Sequence, residues 1–170
     1  MKHICRRVIF FFAAIAVTFC SARHAAAQTA IYGAFSGASI SSGPENGSFG
    51  GLFGLYAQSG HYAYFGGDFR GSILTRNGFN YYSFAVGPRL AFKPPILPLR
   101  PYIEGLAGGT WYNTGRSTST DTHVGYHVVA GIDWTLIPHV DWRVIDYDYS
   151  GNSGPIKANI FSTGLALRLW

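Results

Sequence analysis

The sequence contains little charge and almost no cysteine. Only 12% of its 170 residues are charged, and both cysteines, Cys5 and Cys20, lie among the first twenty residues. Without that segment, no thiol is left for a disulfide, a cysteine nucleophile or a thiolate metal site. Beyond it, no apolar run approaches the roughly 20 residues of a membrane-spanning helix. These absences exclude a disulfide-stabilised fold and a helical membrane protein for the rest of the chain.

The first 27 residues have the features of a secretory signal peptide. Three basic residues begin the segment, the uncharged apolar run 8–20 follows, and three alanines at 25–27 form a small-residue cleavage site. We therefore expect a signal peptide over 1–27 and one folded domain over 28–170. An uncleaved N-terminal anchor is the alternative, although the apolar run is short for a span.

The basic character of the chain belongs to this N-terminal segment. The whole chain has thirteen Lys and Arg against eight Asp and Glu, a formal net charge of +5. Four of the basic residues and none of the acidic ones lie within 1–27, so nine remain against eight and the net charge falls to +1. A nearly neutral domain gives no electrostatic reason to expect nucleic acid as a partner.

The residues after the signal alternate in a manner typical of β-strands. Aromatic and β-branched residues dominate segments of about ten residues, and Gly, Ser, Asn and Pro separate these segments. An even number of strands brings both ends of the domain to the same side of the sheet. The pattern predicts eight strands, over 29–38, 48–58, 61–74, 80–93, 101–112, 123–136, 139–149 and 156–169.

Alternation separates an apolar face from a polar face in each strand. In the fourth strand Tyr82, Phe84 and Val86 share one face, whereas Ser83 and Arg89 share the other. An arginine at the bilayer midplane costs about 2–4 kcal/mol, so the charged face belongs inside a barrel and the apolar face against lipid. We predict an all-β fold, an eight-stranded antiparallel up-and-down transmembrane β-barrel of a bacterial outer membrane. A secreted soluble barrel with an apolar interior, like a lipocalin, is the alternative.

The inward charges balance in sign. The interior of an eight-stranded barrel is just wide enough for side chains to fill it, so each buried charge needs a partner. We predict a structural network of ion pairs that plugs the barrel, and a narrow porin-like ion pathway is the alternative. Alternation directs four acids and four arginines inward: Asp68, Arg70, Arg89, Glu104, Asp133, Asp141, Arg143 and Arg168.

Two places break the regular pattern. Pro88 lies in the middle of the fourth strand, cannot donate to a ladder, and therefore predicts a bulge or kink. In the seventh strand, strict alternation turns Asp146 and Asp148 outward. A bulge near 144–145 would shift the register and turn both aspartates inward. Otherwise both aspartates lie above the membrane.

Several segments resemble small outer-membrane β-barrel proteins of the OmpA-like or OmpX-like eight-stranded group: Phe69–Ile73, Val86–Leu90, Lys93–Gly105 and Pro138–Val144. The resemblance implies a monomer surrounded by outer-membrane lipid and lipopolysaccharide, which the barrel-assembly machinery inserts. It implies no cofactor and no catalytic residue. The family usually ends on an aromatic residue, as this chain does at Trp170, but Arg168 stands where an aromatic or aliphatic residue is more usual.

Candidate catalytic groups are few. His123 and His127 share one face of the sixth strand without metal-ligand spacing around them, and we expect His127 to point inward and to be hydrogen-bonded. An enzyme that modifies lipid A near the outer rim could use His123 with Ser117, Ser119 or Asp121. Because the serines belong to a polar Ser/Thr-rich loop, we interpret the chain as a non-enzymatic barrel with a structural or surface-contact role.

Overall fold

The computed structural model describes residues 28–41, 47–113, 121–153 and 157–169; the expected signal peptide over 1–27 lies outside them. Each strand pairs antiparallel with the next, and β1 pairs with β8, which closes the barrel. The predicted eight-stranded antiparallel barrel is confirmed, with strand limits within three residues of those expected. No helix in these ranges is long and apolar enough to cross a membrane. The strands are β1 Gln28–Ile40, β2 Ser48–Gly60, β3 Ala63–Arg76, β4 Phe79–Phe92, β5 Leu99–Asn113, β6 Asp121–Ile137, β7 Val140–Asn152 and β8 Lys157–Arg168.

The connections between strands define two ends of the barrel. We call the end with the β2–β3, β4–β5 and β6–β7 turns, where β1 also begins and β8 ends, the terminal end. The opposite end, with the other four connections, is the loop end. The β3–β4 hairpin at the loop end turns on Asn77 and Gly78, whose φ angles are 47° and 82°. Asn-Gly is the dipeptide that a two-residue turn with positive φ favours.

The two surfaces of the barrel have opposite polarity. Large apolar side chains face outward and are exposed, among them Phe35, Ile103 and Val124. Charged and hydroxyl side chains fill much of the interior and are buried. A soluble ligand-binding barrel has the reverse arrangement, so the lipocalin-like alternative is wrong.

A bulge in β7 turns its two aspartates inward. Arg143 pairs with Gly164 and Asp146 pairs with Ser162, so two residues of β7 between these pairs oppose a single residue of β8. The register with β6 shifts at the same place. Asp146 and Asp148 are 0% and 2% exposed. The predicted bulge is confirmed, and a position of these aspartates outside the barrel is excluded.

Pro88 interrupts a ladder without shifting it. Val86 pairs with Ala107 and Arg89 with Glu104, which is the same register on both sides of the proline. The pairing of β4 with β5 omits Gly87 and Pro88, whereas the pairing with β3 is continuous. Of the predicted bulge or kink, the bulge is absent, because proline removes a backbone donor but inserts no additional residue; the kink stays a prediction. The irregularity is a gap in the pairing.

Deleting Val144 should prevent the closed barrel from forming. Loss of one residue removes the bulge, and a one-residue slip turns the charges on one side of the deletion toward the outer face. Circular dichroism and protease resistance after refolding into lipid vesicles measure the outcome. The substitution Val144→Ala keeps the residue count and should fold. A deletion variant as folded and protease-resistant as Val144→Ala would contradict the role assigned to the bulge.

Candidate functional site

All eight charges selected from the sequence point into the barrel. Seven of them are at most 4% exposed, and the side chain of Arg168, near the terminal end, is 13% exposed. Alternation along strands of known direction is enough to place them there. The structure brings six of them into one continuous set of ion pairs and pairs the other two, Asp141 and Arg168, separately near the terminal end; the six are Asp68, Arg70, Arg89, Glu104, Asp133 and Arg143.

Four further residues take part in the buried ion pairs. The sequence predicts His127 as inward, and Asp146 and Asp148 as inward through the bulge, so it misses only Arg100. Asp146 and Asp148 join the continuous set through the bulge, and His127 joins it through Asp148. Arg100 was overlooked because it lies beside Pro101 in what reads as a connection, but β5 already begins at Leu99. The available signal was alternation along β5, which places Arg100 on the same inner face as Tyr102 and Glu104.

Arg70 is the centre of the network. Its Nη2 lies 2.6 Å from Glu104 Oε2, and its Nε lies 3.4 Å from Asp68 Oδ2. Its Nη1 lies 3.2 Å from Asp146 Oδ1 and 3.3 Å from Asp148 Oδ2. One guanidinium therefore contacts four carboxylates, which come from β3, β5 and β7. The fork of donors in arginine suits this geometry, and the single ammonium of lysine does not.

Asp133 joins the two other deeply buried arginines. Arg89 Nη2 lies 2.9 Å from Asp133 Oδ2, and Arg143 Nε lies 3.1 Å from Asp133 Oδ1. Arg89 also pairs with Glu104, and Arg143 lies 3.5 Å from Asp146. The network therefore runs without a break from β3 to β7, since each carboxylate between two arginines serves both.

Tyrosine rings pack against these arginines. The guanidinium carbon of Arg89 lies 3.8 Å from the ring centroid of Tyr102, and that of Arg143 lies 3.9 Å from the ring centroid of Tyr32. The hydroxyl of Tyr32 donates to Asp68 at 2.7 Å, and that of Tyr102 donates to Asp146 at 2.5 Å. Each ring thus stabilises a cation through its face and a carboxylate through its hydroxyl.

Glycines on neighbouring strands make room for these rings. A Cβ atom at Gly54 would collide with the ring of Tyr32, and one at Gly131 would collide with the ring of Tyr102. Both glycines lie on the inner face, where any side chain would occupy the space of the tyrosine. The interior is thus filled by large side chains packed over glycine.

A looser polar layer lies at the terminal end. Arg100 Nη1 donates to Gln28 Oε1 at 2.8 Å and lies 3.6 Å from Asp141. Arg168 Nε lies 3.2 Å from the same carboxylate, and Gln58 donates to Gln28 at 2.9 Å. This layer continues the charge network as far as the start of β1.

Toward the loop end the interior loses its charge. Hydroxyl pairs come first, with Ser36 and Ser162 2.7 Å apart and Ser72 and Ser83 2.6 Å apart. Beyond them, buried apolar side chains from four strands pack together: Ala38, Ile40, Leu74, Phe79, Tyr81, Ala158 and Ile160. Toward the loop end, the charges of the interior thus give way to hydroxyl pairs and then to an apolar cluster on the side of β8, β1, β3 and β4.

The two histidines of β6 have different environments. His127 is buried in the interior, and its Nδ1 lies 2.9 Å from Asp148 Oδ1. Its Nε2 has no hydrogen-bond partner among the described residues. His123 lies closer to the loop end, half-buried, and stacks on Tyr112 with ring centroids 5.6 Å apart. Ser117, Ser119 and the side chain of Asp121 lie outside the described residues.

The charges of the network are paired inside the barrel, and a few of their buried atoms, among them Asp68 Oδ1 and Arg143 Nη2, have no hydrogen-bond partner among the described residues. Five arginines face six acids and His127, all within the barrel. In the part of the chain that the structure describes, no group of three or more His, Cys, Asp or Glu is arranged to hold a metal ion. Chemically, the arrangement can neutralise buried charge and tie strands together.

No family model matches the chain, and no curated protein matches it either. Among solved structures, it is similar to Neisserial surface protein A, with 20% identity over 83% of this chain and 96% of the other, and a TM-score of 0.56. It is also similar to Ail, the attachment invasion locus protein of Yersinia pestis, with 15% identity over 84% and 99% of the two chains and a TM-score of 0.55. The N-terminal β-barrel domain of Pseudomonas aeruginosa OprF gives 13% identity over 83% and 97%, with a TM-score of 0.56. The resemblance to small outer-membrane barrels is thus confirmed at the level of the fold.

Glu104→Ala should destabilise the barrel by about 3–5 kcal/mol, because it leaves Arg70 and Arg89 buried without a shared carboxylate. Urea unfolding of the protein in lipid vesicles measures the loss. Ser36→Ala is a matched control, since it removes a neutral buried hydrogen bond from another inward position and should cost about 1 kcal/mol. Equal losses in the two variants would show that the Glu104 pairs do not stabilise the fold.

Proposed function

We propose that this chain is a non-enzymatic integral protein of a bacterial outer membrane, with a plugged interior and a structural or surface-contact role. One observation carries the proposal: apolar side chains cover the outside of a closed barrel whose inside is filled by paired charges. An apolar surface of this extent, on a protein with a polar interior, requires lipid around it. We propose lipid and lipopolysaccharide as its surroundings and the barrel-assembly machinery as its partner during biogenesis.

The spacing of outward aromatic residues supports a membrane span. Tyr82 and Trp111 are partners near the loop end, and Trp134 and Trp142 are partners near the terminal end. Thr122, the partner of Trp111 on β6, is twelve residues from Trp134. At about 3.3 Å per residue and a tilt of about 40°, these two aromatic pairs lie roughly 30 Å apart along the barrel axis. This distance matches the hydrocarbon thickness of a bilayer.

The side chains in the interior favour a plug over a pore. The guanidinium of Arg70 contacts four carboxylates from β3, β5 and β7, and an apolar cluster of residues from β1, β3, β4 and β8 lies closer to the loop end. An ion would have to break these pairs and then pass the apolar cluster. Eight strands leave no room for a water-filled path beside the side chains.

The protein should remain in the membrane fraction after carbonate or urea washing and should leave it only with detergent. The reason is that the outer surface of the barrel is apolar, whereas a water-soluble form would need a polar one. Immunoblotting of washed membranes measures the distribution, with a soluble periplasmic protein as the control. Release of the protein by the wash would contradict integral insertion.

Purified protein in planar bilayers should give no large, stable conductance steps. The paired charges and the apolar cluster block the axis of the barrel, so current should stay at the level of the protein-free bilayer. Regular, stable steps from the folded protein would favour a porin-like function instead.

The environment of the histidines argues against catalysis on lipid A. The pair of His127 and Asp148 is enclosed in the interior, where no lipid reaches it, and the ring of His123 is engaged with Tyr112. Lipid A from cells with and without the protein should therefore have the same mass spectrum. A lost acyl chain or an added group that disappears in a His123→Ala strain would establish the enzymatic alternative.

A further inference from the structure

We propose that Thr163 is the positioning residue of the β7 bulge: its hydroxyl holds the bulged backbone from the outer face, so that Asp146 and Asp148 point into the barrel. The inference rests on the proposed function, because the role assumes lipid at the outer face. It adds to that function a residue on which the inward charges of β7 depend. Thr163 acts through the backbone of β7 and not through a charge of its own.

Thr163 is a polar residue in an apolar row. The neighbouring outward residues of β8 are apolar and exposed, and they are Phe161, Leu165 and Leu167. Thr163 is exposed beside them and lies near the middle of the strand. The middle of a strand lies within the apolar band of a membrane barrel. A hydroxyl there meets no water, so it needs hydrogen-bond partners from the protein.

The hydroxyl of Thr163 has two partners, and both belong to β7. It donates a hydrogen bond to the backbone carbonyl oxygen of Arg143 at 3.0 Å. It accepts a hydrogen bond from the indole Nε1 of Trp142 at 3.2 Å. The hydroxyl is therefore engaged both as a donor and as an acceptor, and a methyl group in the same place would make neither bond.

These bonds lie at the bulge. Thr163 is the single residue of β8 opposite Val144 and Ile145, and Arg143 is the last residue of β7 that pairs with β8 before them. A bulge interrupts the ladder and leaves its extra residue unpaired. Backbone groups without partners are costly within hydrocarbon, so a membrane strand has to satisfy them in another way. A side chain of β8 thus gives β7 a hydrogen bond at the place where the ladder is interrupted.

Ion pairs hold the bulge from the inside. Arg143 Nε lies 3.1 Å from Asp133 on β6, and Arg143 Nη1 lies 3.5 Å from Asp146, so the second pair spans the bulge along β7. These pairs fix side chains, whereas the hydroxyl of Thr163 bonds to the backbone itself. Without this hydroxyl the bulge is harder to form, and a one-residue slip that turns charges toward the outer face becomes easier.

Urea unfolding in lipid vesicles tests the role of the hydroxyl. Thr163→Val keeps the shape of the side chain and removes the hydroxyl, so the unfolding equilibrium constant should rise about ten-fold, as expected when a backbone carbonyl loses its hydrogen bond. Thr163→Ser keeps the hydroxyl and should unfold as the wild type does. Thr122→Val is the matched control, because Thr122 is also exposed on the outer face. There the more apolar side chain should not raise the unfolding constant.

Amide hydrogen exchange, measured by NMR in detergent micelles, locates the effect. In Thr163→Val the amides of Val144, Ile145 and Asp146 should exchange faster than in the wild type, and those of β2 should not change. The indole N–H signal of Trp142, assigned with Trp142→Phe, should move upfield in Thr163→Val because its hydrogen bond is lost. The same signal should keep its position in Thr163→Ser.

Three results in folded variants would overturn the proposal. The first is a Thr163→Val variant with the unfolding constant and the exchange of the wild type. The second is a Thr163→Ser variant as weak as Thr163→Val, since the loss would then come from packing and not from the hydroxyl. The third is an equal loss in Thr122→Val.

A variant that fails to fold also decides the question. If Thr163→Val does not refold, normal refolding of Thr163→Ser supports the proposal, and failure of both overturns it. Either outcome in a protein that stays in washed membranes leaves the proposed function intact, whereas release by the wash would remove both.

Discussion

The pairing of inward arginines with carboxylates is the interaction on which the rest of this structure depends. Eight strands close around a space that side chains must fill, so a charge placed there needs a partner from another strand. Arg70 on β3 takes partners from β5 and β7, and Asp133 on β6 joins arginines of β4 and β7. All of these contacts except the one between Asp133 and Arg143 join strands that are not neighbours in the sheet, and they restrain the register of those strands.

The bulge in β7 is a consequence of the same constraint. Asp141 and Arg143 precede it and Asp146 and Asp148 follow it, and all four are buried. Uninterrupted alternation would turn two of them toward the apolar outer face of the barrel. An extra residue between Arg143 and Asp146 keeps both halves of the strand inward, and Ile145 takes an exposed place at the bulge. The bulge is therefore what keeps all four charged side chains of β7 inside the barrel.

Much of this fold could be predicted from the sequence, because charged residues on one face of each strand contrast with apolar residues on the other. The strands, the faces and the β7 bulge follow from that contrast. The pairing of particular charges could not be predicted, since Arg89 meets Asp133 only through the stagger of β4 to β6 around the barrel. Arg100 was missed because an adjacent proline resembles a turn. A bulge at Pro88 would need an additional residue in β4, and the presence of a proline does not determine whether the strand has one.

Because buried side chains fill the interior in the part of the chain that the structure describes, the ends of the barrel and its apolar outer surface are the places left for contact with another molecule. Pro88 bears on the second possibility. It lacks a backbone donor and is left without a partner on β5, on the apolar outer face of the barrel. The register continues unchanged around it, so the proline does not redirect any inward charge. What it changes is the outer shape of the sheet, together with Gly67 and Gly105 beside it. Because the gap in pairing at Pro88 leaves the inward charges unchanged, its effect is on the shape of the outer surface.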